Sequence, residues 1–376
     1  MSAIEPRSEV GGVESVESVE AIRRRCTRAI AHHYRRSPHE VLVALAAAAA
    51  PELEADRYGQ GGPLAPFEEE IAALLGKEAA VFMPSGTMCQ QIALRLWSER
   101  RGERNIGLHP LNHLDTFEHA AYERLHGLRG VPIGDPARLL TLDDLRATAE
   151  PLAALLIELP QREIGGQLPS WEELSAISAW CAERGIARHL DGARLWESGP
   201  FYGRPYAEIA ALFDTVYVSF YKGLGGIAGA ILAGPAELIA EARVWQRRHG
   251  GKLVALYPYV LAARQGLHER LDRMGAYHEK AVALAAGLAR IPGVDVVPAP
   301  PQTNMMHLYL RGDAARLLAA ARDVAAETAI WTFDSLAPTP LPGVQRWEWT
   351  VGDATLDLPT EELLDLVATI VRRAQR

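Results

Sequence analysis

A single lysine, Lys222, lies between an apolar segment at 215–218 and a glycine-rich turn at 223–226. The apolar segment predicts a partly buried strand end, and the glycines permit backbone or a bound molecule to approach closely. A lysine in such a place loses its proton more readily, so its amine can form a Schiff base with a carbonyl group. Taken alone, the same segment also describes an ordinary surface lysine on a turn.

An acidic residue makes the first interpretation stronger. Asp191 ends another apolar segment upstream of Lys222 and opens the sequence Asp-Gly-Ala-Arg. An acid that ends one strand and a lysine that ends a later strand form the arrangement that pyridoxal 5'-phosphate (PLP) needs, since the lysine holds the aldehyde and the aspartate holds the pyridinium nitrogen. We therefore predict PLP as a cofactor, bound to Lys222 as a Schiff base. Beside that cation, Asp191 is expected to stay ionised.

The turn Ser85-Gly86-Thr87 is a candidate phosphate site. It ends a predicted strand and opens a helix, where backbone N–H groups and two hydroxyls favour an anion. Turns of this composition also serve simply as helix caps.

Length and composition describe an ordinary globular protein. The chain has 376 residues, is 48% hydrophobic and 23% charged, and carries a net charge of −8. Its charge argues against a nucleic-acid partner, and its apolar runs are too short to cross a bilayer. Three widely spaced cysteines suggest a reducing compartment, with no disulfide framework and no metal site. With no secretory signal visible, the cytoplasm is the expected location.

Strand and helix patterns alternate along most of the chain, which predicts an α/β fold with a mostly parallel sheet. We expect a disordered tail over residues 1–20, and a cofactor-binding large domain with an N-terminal helical arm over 21–250. Residues 251–376 are expected to form a linking helix and a small α+β domain. Its predicted strands are 305–310, 330–333 and 346–351, and 292–301 is predicted as a proline-rich connection.

Four segments together resemble the threonine aldolase/β-eliminating lyase group of fold-type I PLP-dependent enzymes. Their order and spacing agree with that group over roughly residues 50–260. In chain order they are 76–88 (GKEAAVFMPSGTM), 165–166 (GG) before PSWEEL, 189–195 (HLDGARL) and 222–225 (KGLG). The resemblance implies a large mostly parallel sheet with helices on both faces and a smaller C-terminal domain.

The resemblance also implies roles for single residues. Ser85, Gly86 and Thr87 would hold the PLP phosphate, and His113 would stack on the ring. Asp191 would pair with the nitrogen of the PLP ring. The protonated PLP ring would then withdraw electrons from the substrate's α-carbon.

Further residues are implied to meet the substrate. Arg194 would bind the substrate carboxylate in a bidentate pair beside the cofactor, and Arg346 matches a second carboxylate-binding arginine. Tyr58 matches a residue that reaches the neighbouring subunit's site, which implies a homodimer or homotetramer with shared active sites. Gln161 occupies the substrate loop.

The sequence departs from the group at several of these places. Residues 25–28 (RCTR) stand where the group has Arg-Ser-Asp-Thr, and 158–161 (ELPQ) replaces Glu-Asn-Thr-His. Gln161 cannot act as a base, whereas Glu163 could take a proton role. An arginine that the group donates to the partner's phosphate is missing, and Arg248 or Lys252 is the expected substitute.

The predicted reaction is aldol cleavage of a β-hydroxy-α-amino acid, such as threonine or allo-threonine, to glycine and an aldehyde. The alternatives on the same scaffold are α,β-elimination with Lys222 as the base at Cα, racemisation and transamination. A non-catalytic PLP-fold binding protein is a hypothesis of another class, which the altered substrate loops motivate.

Overall fold

The protein was analysed as a computed structural model, and residues 18–375 are described. Most of the predicted tail therefore lies outside the described residues, and the first helix begins at Val19, before the predicted end of that tail. No helix within 18–375 is both long and apolar enough to span a membrane.

The strands form two sheets and one short pair. They are β1 Arg28–Ala29, β2 Ala79–Met83, β3 Asn105–Leu108, β4 Arg129–Pro132, β5 Ala154–Glu158, β6 Ala187–Gly192, β7 Thr215–Ser219, β8 Ala230–Gly234, β9 Val294–Val297, β10 Met305–Arg311, β11 Ile330–Trp331, β12 Ala337–Pro338 and β13 Val344–Thr350.

The helices alternate with these strands. They are α1 Val19–Arg25, α2 Pro38–Ala48, α3 Leu64–Leu74, α4 Gly86–Arg101, α5 His113–Thr116, α6 Ala121–His126, α7 Leu142–Ala147, α8 Trp171–Glu183, α9 Leu195–Tyr202, α10 Tyr206–Ala211, α11 Ala236–Arg248, α12 Tyr257–Arg270, α13 Met274–Leu288, α14 Ala314–Thr328, α15 Asp353–Leu356 and α16 Thr360–Ala374.

The large sheet has seven strands in the order β2-β8-β7-β6-β5-β3-β4. Strands β3 to β7 pair in parallel, and β8 runs antiparallel to both of its neighbours. Successive residues of β2 enter different cores: Val81 packs with α4 and α11, whereas Phe82 packs with α3 on the opposite face. This burial on both faces explains the continuous apolar runs and confirms the predicted α/β fold.

The small sheet has the order β12-β13-β10-β9 and is entirely antiparallel. Strand β9 lies within residues 292–301, which were predicted as a connection because of their prolines. Val294 and Val296 both point inward, as alternate residues of a strand do. Strand β11 does not join this sheet and instead pairs with β1.

The pairing of β1 with β11 brings the N-terminal segment beside the small sheet. The Trp349 indole and the Thr355 hydroxyl both donate to the Ile30 carbonyl at 2.9 Å. His32 then bridges Val351, just beyond β13. These contacts fix residues 28–33 against the part of the molecule that carries Arg346.

Candidate active site

Adjacent parallel strands bring the predicted acid and lysine to one edge of the large sheet. Asp191 lies at the carboxyl end of β6, where it is in register with Glu158 of β5 and Tyr217 of β7. Lys222 is the third residue after the end of β7. Ligand sites of open α/β sheets lie outside such carboxyl ends, so the topology explains how these residues, far apart in sequence, meet.

Asp191 is held by a buried chain of hydrogen bonds. One carboxylate oxygen accepts from the Gln90 amide, and the other accepts from the Ala193 N–H at 3.0 Å. The Gln90 carbonyl lies 2.6 Å from His189 Nε2, and His189 Nδ1 lies 2.8 Å from the Thr215 hydroxyl. Burial lowers the pKa of His189 to about 3, so this ring is neutral and Nε2–H donates to Gln90.

The charge environment of Asp191 differs from the sequence expectation. Burial raises the pKa of Asp191, while the nearby Lys222 and His113 act to lower it. Burial and the proximity of Asp191 also raise the pKa of Glu158, to about 8. The two buried carboxyl groups of Asp191 and Glu158 therefore favour a bound cation. The ionised form of Asp191 that the sequence predicts depends on the presence of that cation.

Lys222 is half-buried. Burial and the positive charge of Arg194 lower the pKa of Lys222, while Asp191 opposes this effect. The lowered pKa increases the fraction of nucleophilic free amine.

The glycines after Lys222 make room for the protein itself. A Cβ atom at Gly223 would lie 2.0 Å from Oε1 of Glu197, and one at Gly226 would lie 2.7 Å from the Phe220 carbonyl. Glu197 is 1% exposed, and neither carboxylate oxygen has a hydrogen-bond partner among the described residues.

The 85–87 turn begins the long helix α4, as predicted. The Ser85 hydroxyl caps the helix by accepting from the Met88 N–H at 3.3 Å. Gly86 is required at the first helical position, because a Cβ atom there would lie 2.0 Å from the Tyr217 hydroxyl. The turn therefore combines helix capping with free backbone N–H groups that suit an anion.

His113 is fixed at the start of α5. Its backbone N–H donates to Glu158 at 2.7 Å, and its Nδ1 lies 3.0 Å from Oε1 of Glu118. The Phe117 ring lies 5.1 Å away, centroid to centroid. These contacts tie the predicted stacking histidine to the same carboxylate that pairs with Asp191.

Arg194 and Arg346, the predicted carboxylate binders, belong to a cluster of charges. Arg194 lies 3.9 Å from Glu348, and Arg346 lies 3.3 Å from Glu163. Arg162 Nε lies 2.8 Å from Glu348 and connects the two pairs. Burial alone would raise the pKa of Glu348, but His307, 3.7 Å away, and the nearby Arg162 and Arg194 hold it at about 2.

A cavity of about 640 Å³ opens beside this cluster. Its wall includes His32, Arg162, Arg346 and Glu348, together with residues of the N-terminal segment and of 331–337. The cavity therefore joins Arg162 and Arg346 to solvent and has room for a small amino acid.

Gln161 and Tyr58 lie in different surroundings. Gln161 is 3% exposed, and its amide donates to the Leu111 carbonyl at 3.0 Å, so it supports the loop below His113. Tyr58 is 46% exposed, and its N–H donates to the Val254 carbonyl at 2.9 Å. The neighbouring Gly59 packs against the stem of Lys252.

Residues 41–313 match the sequence profile described as beta-eliminating lyase, which is more than half of the chain. The chain belongs to the beta-eliminating lyase family. This result confirms the predicted resemblance, and the match covers the lysine, the acid and the candidate phosphate turn.

Members and structural neighbours extend the match over nearly the whole chain. A putative L-allo-threonine aldolase from Listeria monocytogenes is 43% identical, with 95% of this chain and 98% of that chain covered and a TM-score of 0.90. A putative aromatic amino acid beta-eliminating lyase/threonine aldolase from Exiguobacterium is 44% identical, covers 95% and 99%, and has a TM-score of 0.89. Low-specificity L-threonine aldolase 1 of Arabidopsis thaliana is 29% identical over 278 residues, which is 71% of this chain and 77% of that protein.

Several side chains of this beta-eliminating lyase family member were not predicted to take part. They are His32, Gln90, Glu118, Glu158, His189, Glu197 and Glu348. Gln90 in α4 and His189 in β6 could have been predicted as site residues, because each is a polar residue inside an otherwise apolar segment. His32 and Glu348 carried no such signal, because only the pairing of distant segments brings them to the cavity.

Proposed function

We propose that the chain is a PLP-dependent lyase that cleaves β-hydroxy-α-amino acids, such as threonine or allo-threonine, to glycine and an aldehyde. The observation that carries this proposal is the placement of Asp191 and Lys222 at one edge of adjacent parallel strands, with Arg194 near Lys222. The family match and the aldolase relatives agree with it.

The residues around that edge fit PLP. Lys222, with its lowered pKa, would hold the aldehyde as a Schiff base, and Asp191 would bind the ring nitrogen. The Ser85-Gly86-Thr87 turn would hold the phosphate, and His113 would stack on the ring. When bound, PLP delocalises the electron pair that is left on Cα.

The substrate would enter from the cavity. Arg194 and Arg346 would take its carboxylate, which must then compete with Glu348 and Glu163 for them. Orientation by two guanidinium groups fixes which bond of Cα is exposed to cleavage. Because the pKa of Glu348 is held at about 2, it remains ionised and keeps Arg194 in place before the substrate arrives.

The first experiment is a product assay on the purified protein with PLP added. L-Threonine and L-allo-threonine are expected to yield acetaldehyde and glycine. L-Serine tests the alternative reaction, α,β-elimination, which would convert it to pyruvate and ammonia. Lys222→Ala is expected to lower the rate by at least about 10³-fold and to remove the cofactor linkage that borohydride traps. Full turnover by this variant would contradict the assignment of Lys222.

We further propose that two subunits share each site, with Tyr58 and Lys252 serving the partner. Their positions support this, since Tyr58 is exposed and the stem of Lys252 lies against the neighbouring Gly59. Mixing inactive Lys222→Ala subunits with inactive Tyr58→Ala subunits is expected to restore activity in hybrid oligomers. Hybrids that stay inactive would contradict a shared site.

A further inference from the structure

Aldol cleavage requires a base at the β-hydroxyl group of the substrate, and the 158–161 loop supplies none. Gln161 has no basic atom, and its amide is committed to the Leu111 carbonyl. Glu158 accepts the His113 N–H, and burial together with the proximity of Asp191 raises its pKa and so favours the protonated carboxyl group. Neither side chain can accept a proton from the substrate.

The acidic residues of the arginine cluster are also unsuitable. Glu163 lies 3.2 Å from Arg162 and 3.3 Å from Arg346. Glu348, with its pKa held at about 2, is too weak a base to accept a hydroxyl proton efficiently. Both carboxylates serve to hold the guanidinium groups.

His32 reaches the same cluster from the N-terminal segment. Its N–H donates to the Thr350 carbonyl at 2.8 Å, and its carbonyl accepts from the Ala354 N–H at 3.1 Å. These two bonds hold the backbone at φ +62°, a left-handed conformation that a residue other than glycine rarely adopts. The following residue, His33, lies 2.7 Å from the carbonyl of Gly223, the neighbour of Lys222.

The His32 imidazole lines the cavity together with Arg346 and Glu348. His32 is exposed to solvent, and among residues 18–375 no hydrogen bond to its ring is present. The protein atoms that do surround the ring partly desolvate it and so lower the pKa of His32, as do the charges of His33 and Arg194, while Glu348 opposes them. At neutral pH the ring is therefore uncharged and has a free lone pair.

We propose that His32 is the base that removes the β-hydroxyl proton of the substrate. This inference rests on the proposed function, because it assumes that Arg194 holds the carboxylate of a β-hydroxy amino acid. Only Cα and Cβ separate that carboxylate from the hydroxyl group. His32 lines the cavity with Glu348, which lies 3.9 Å from Arg194, so the His32 ring and the hydroxyl group would share this small region.

The proton and electron balance of the step is simple. The O–H bond breaks as an N–H bond forms on His32, the C–O bond becomes the carbonyl of the aldehyde, and the Cα–Cβ bond breaks. Its electron pair stays on Cα, which takes up one proton to give glycine. His32 regains its free lone pair when it releases its proton to solvent.

The decisive experiment compares two reactions in His32→Asn. Asparagine tolerates the left-handed backbone, so the fold is kept, and His119→Asn is the matched control because His119 also has a positive φ, of 53°. With PLP added, we expect His32→Asn to cleave L-threonine about 10²- to 10⁴-fold more slowly. Exchange of the glycine α-proton with deuterium oxide involves no β-hydroxyl group, so this exchange and the visible band of bound cofactor should remain at the wild-type level.

Each other outcome is informative. Unchanged cleavage by His32→Asn, or an equal loss of cleavage and glycine exchange, would overturn the role of His32 as the base. A wild-type protein that exchanges glycine but cleaves no β-hydroxy amino acid would overturn the proposed aldol cleavage, and the role of His32 with it. Loss of exchange in the wild type would instead indicate a failure of the PLP proposal itself.

Chemical rescue provides a second test. Glycine suits φ +62° and leaves a space open to the cavity, so His32→Gly is expected to regain cleavage when free imidazole is added. The wild-type kcat should fall on the acid side below pH 6.5, the ordinary histidine pKa, as the ring becomes protonated, and this decline should be absent in His32→Asn. A variant that retains the decline, or that imidazole does not rescue, would contradict the proposal.

Discussion

Asp191 and Arg194 are close in sequence, yet they belong to two sides of the site that are held in different ways. The side proposed to hold the cofactor, comprising Gln90, His113, Asp191 and Lys222, lies on or just beyond the ends of regular strands and helices. The side proposed to meet the substrate, comprising His32, Arg162, Arg194, Arg346 and Glu348, is gathered from the N-terminal segment, a loop, the residue before α9, and β13. Buried hydrogen bonds hold the first side, and paired charges hold the second.

This difference determines how easily each side can change. The chain from Thr215 through His189 and Gln90 to Asp191 is buried, and each of its members has a hydrogen-bond partner, so it suits a cofactor that stays bound. Ion pairs such as Arg346 with Glu163 are partly exposed and exchange partners at small cost. They suit a substrate carboxylate that must enter and leave in every cycle.

Compared with a change in a carboxylate-binding arginine, a change in the residue proposed to pair with the ring nitrogen is expected to have the larger effect. Asp191→Asn keeps the shape of the side chain but removes the charge that would stabilise a protonated ring nitrogen, so we expect kcat to fall by about 10²- to 10³-fold with altered cofactor absorbance. Asp143→Asn, at an exposed position on α7, is the control. An unchanged kcat in Asp191→Asn would show that the buried chain is only structural.

A smaller effect of a different kind is expected on the substrate side. Arg346→Lys keeps the positive charge but loses the bidentate geometry, so KM for threonine should rise about 10- to 100-fold while the cofactor spectrum stays the same. Arg311→Lys, at an exposed position on β10, serves as the control. A changed cofactor spectrum in Arg346→Lys would show that the two sides are not separable.

The smallest effect concerns stability. Burial raises the pKa of Glu197, so the folded state favours the protonated side chain. The resulting contribution to the free energy of unfolding is present below the ordinary pKa of 4.5 and is lost as pH rises through the raised pKa. Glu197→Gln should match the wild type at acidic pH and be more stable at alkaline pH, by about 1–3 kcal/mol. Thermal unfolding across pH measures this, with the exposed Glu183→Gln as the control. Equal stability of Glu197→Gln and the wild type at every pH would contradict the inference that the Glu197 carboxylate is buried without a compensating partner.

Much of the large sheet could be predicted from the sequence. The apolar runs at 79–83, 105–108 and 215–218 are strands, and the antiparallel return near 228–233 is β8. The smaller sheet was harder to predict, because β9 is flanked by prolines and β11 is only two residues long. Short strands carry too few residues to show a period, so their pairing depends on distant partners.

The sequence by itself determined the two strand ends that carry Asp191 and Lys222 and the helix cap at Ser85, because local patterns of apolar residues and glycines define these positions. Only the tertiary structure decided that His32, Arg162 and Glu348 surround Arg194, because they come from segments that no local pattern connects. Parallel strands repeat one register and so bring their ends together predictably. Charges on loops meet wherever packing of the whole chain places them.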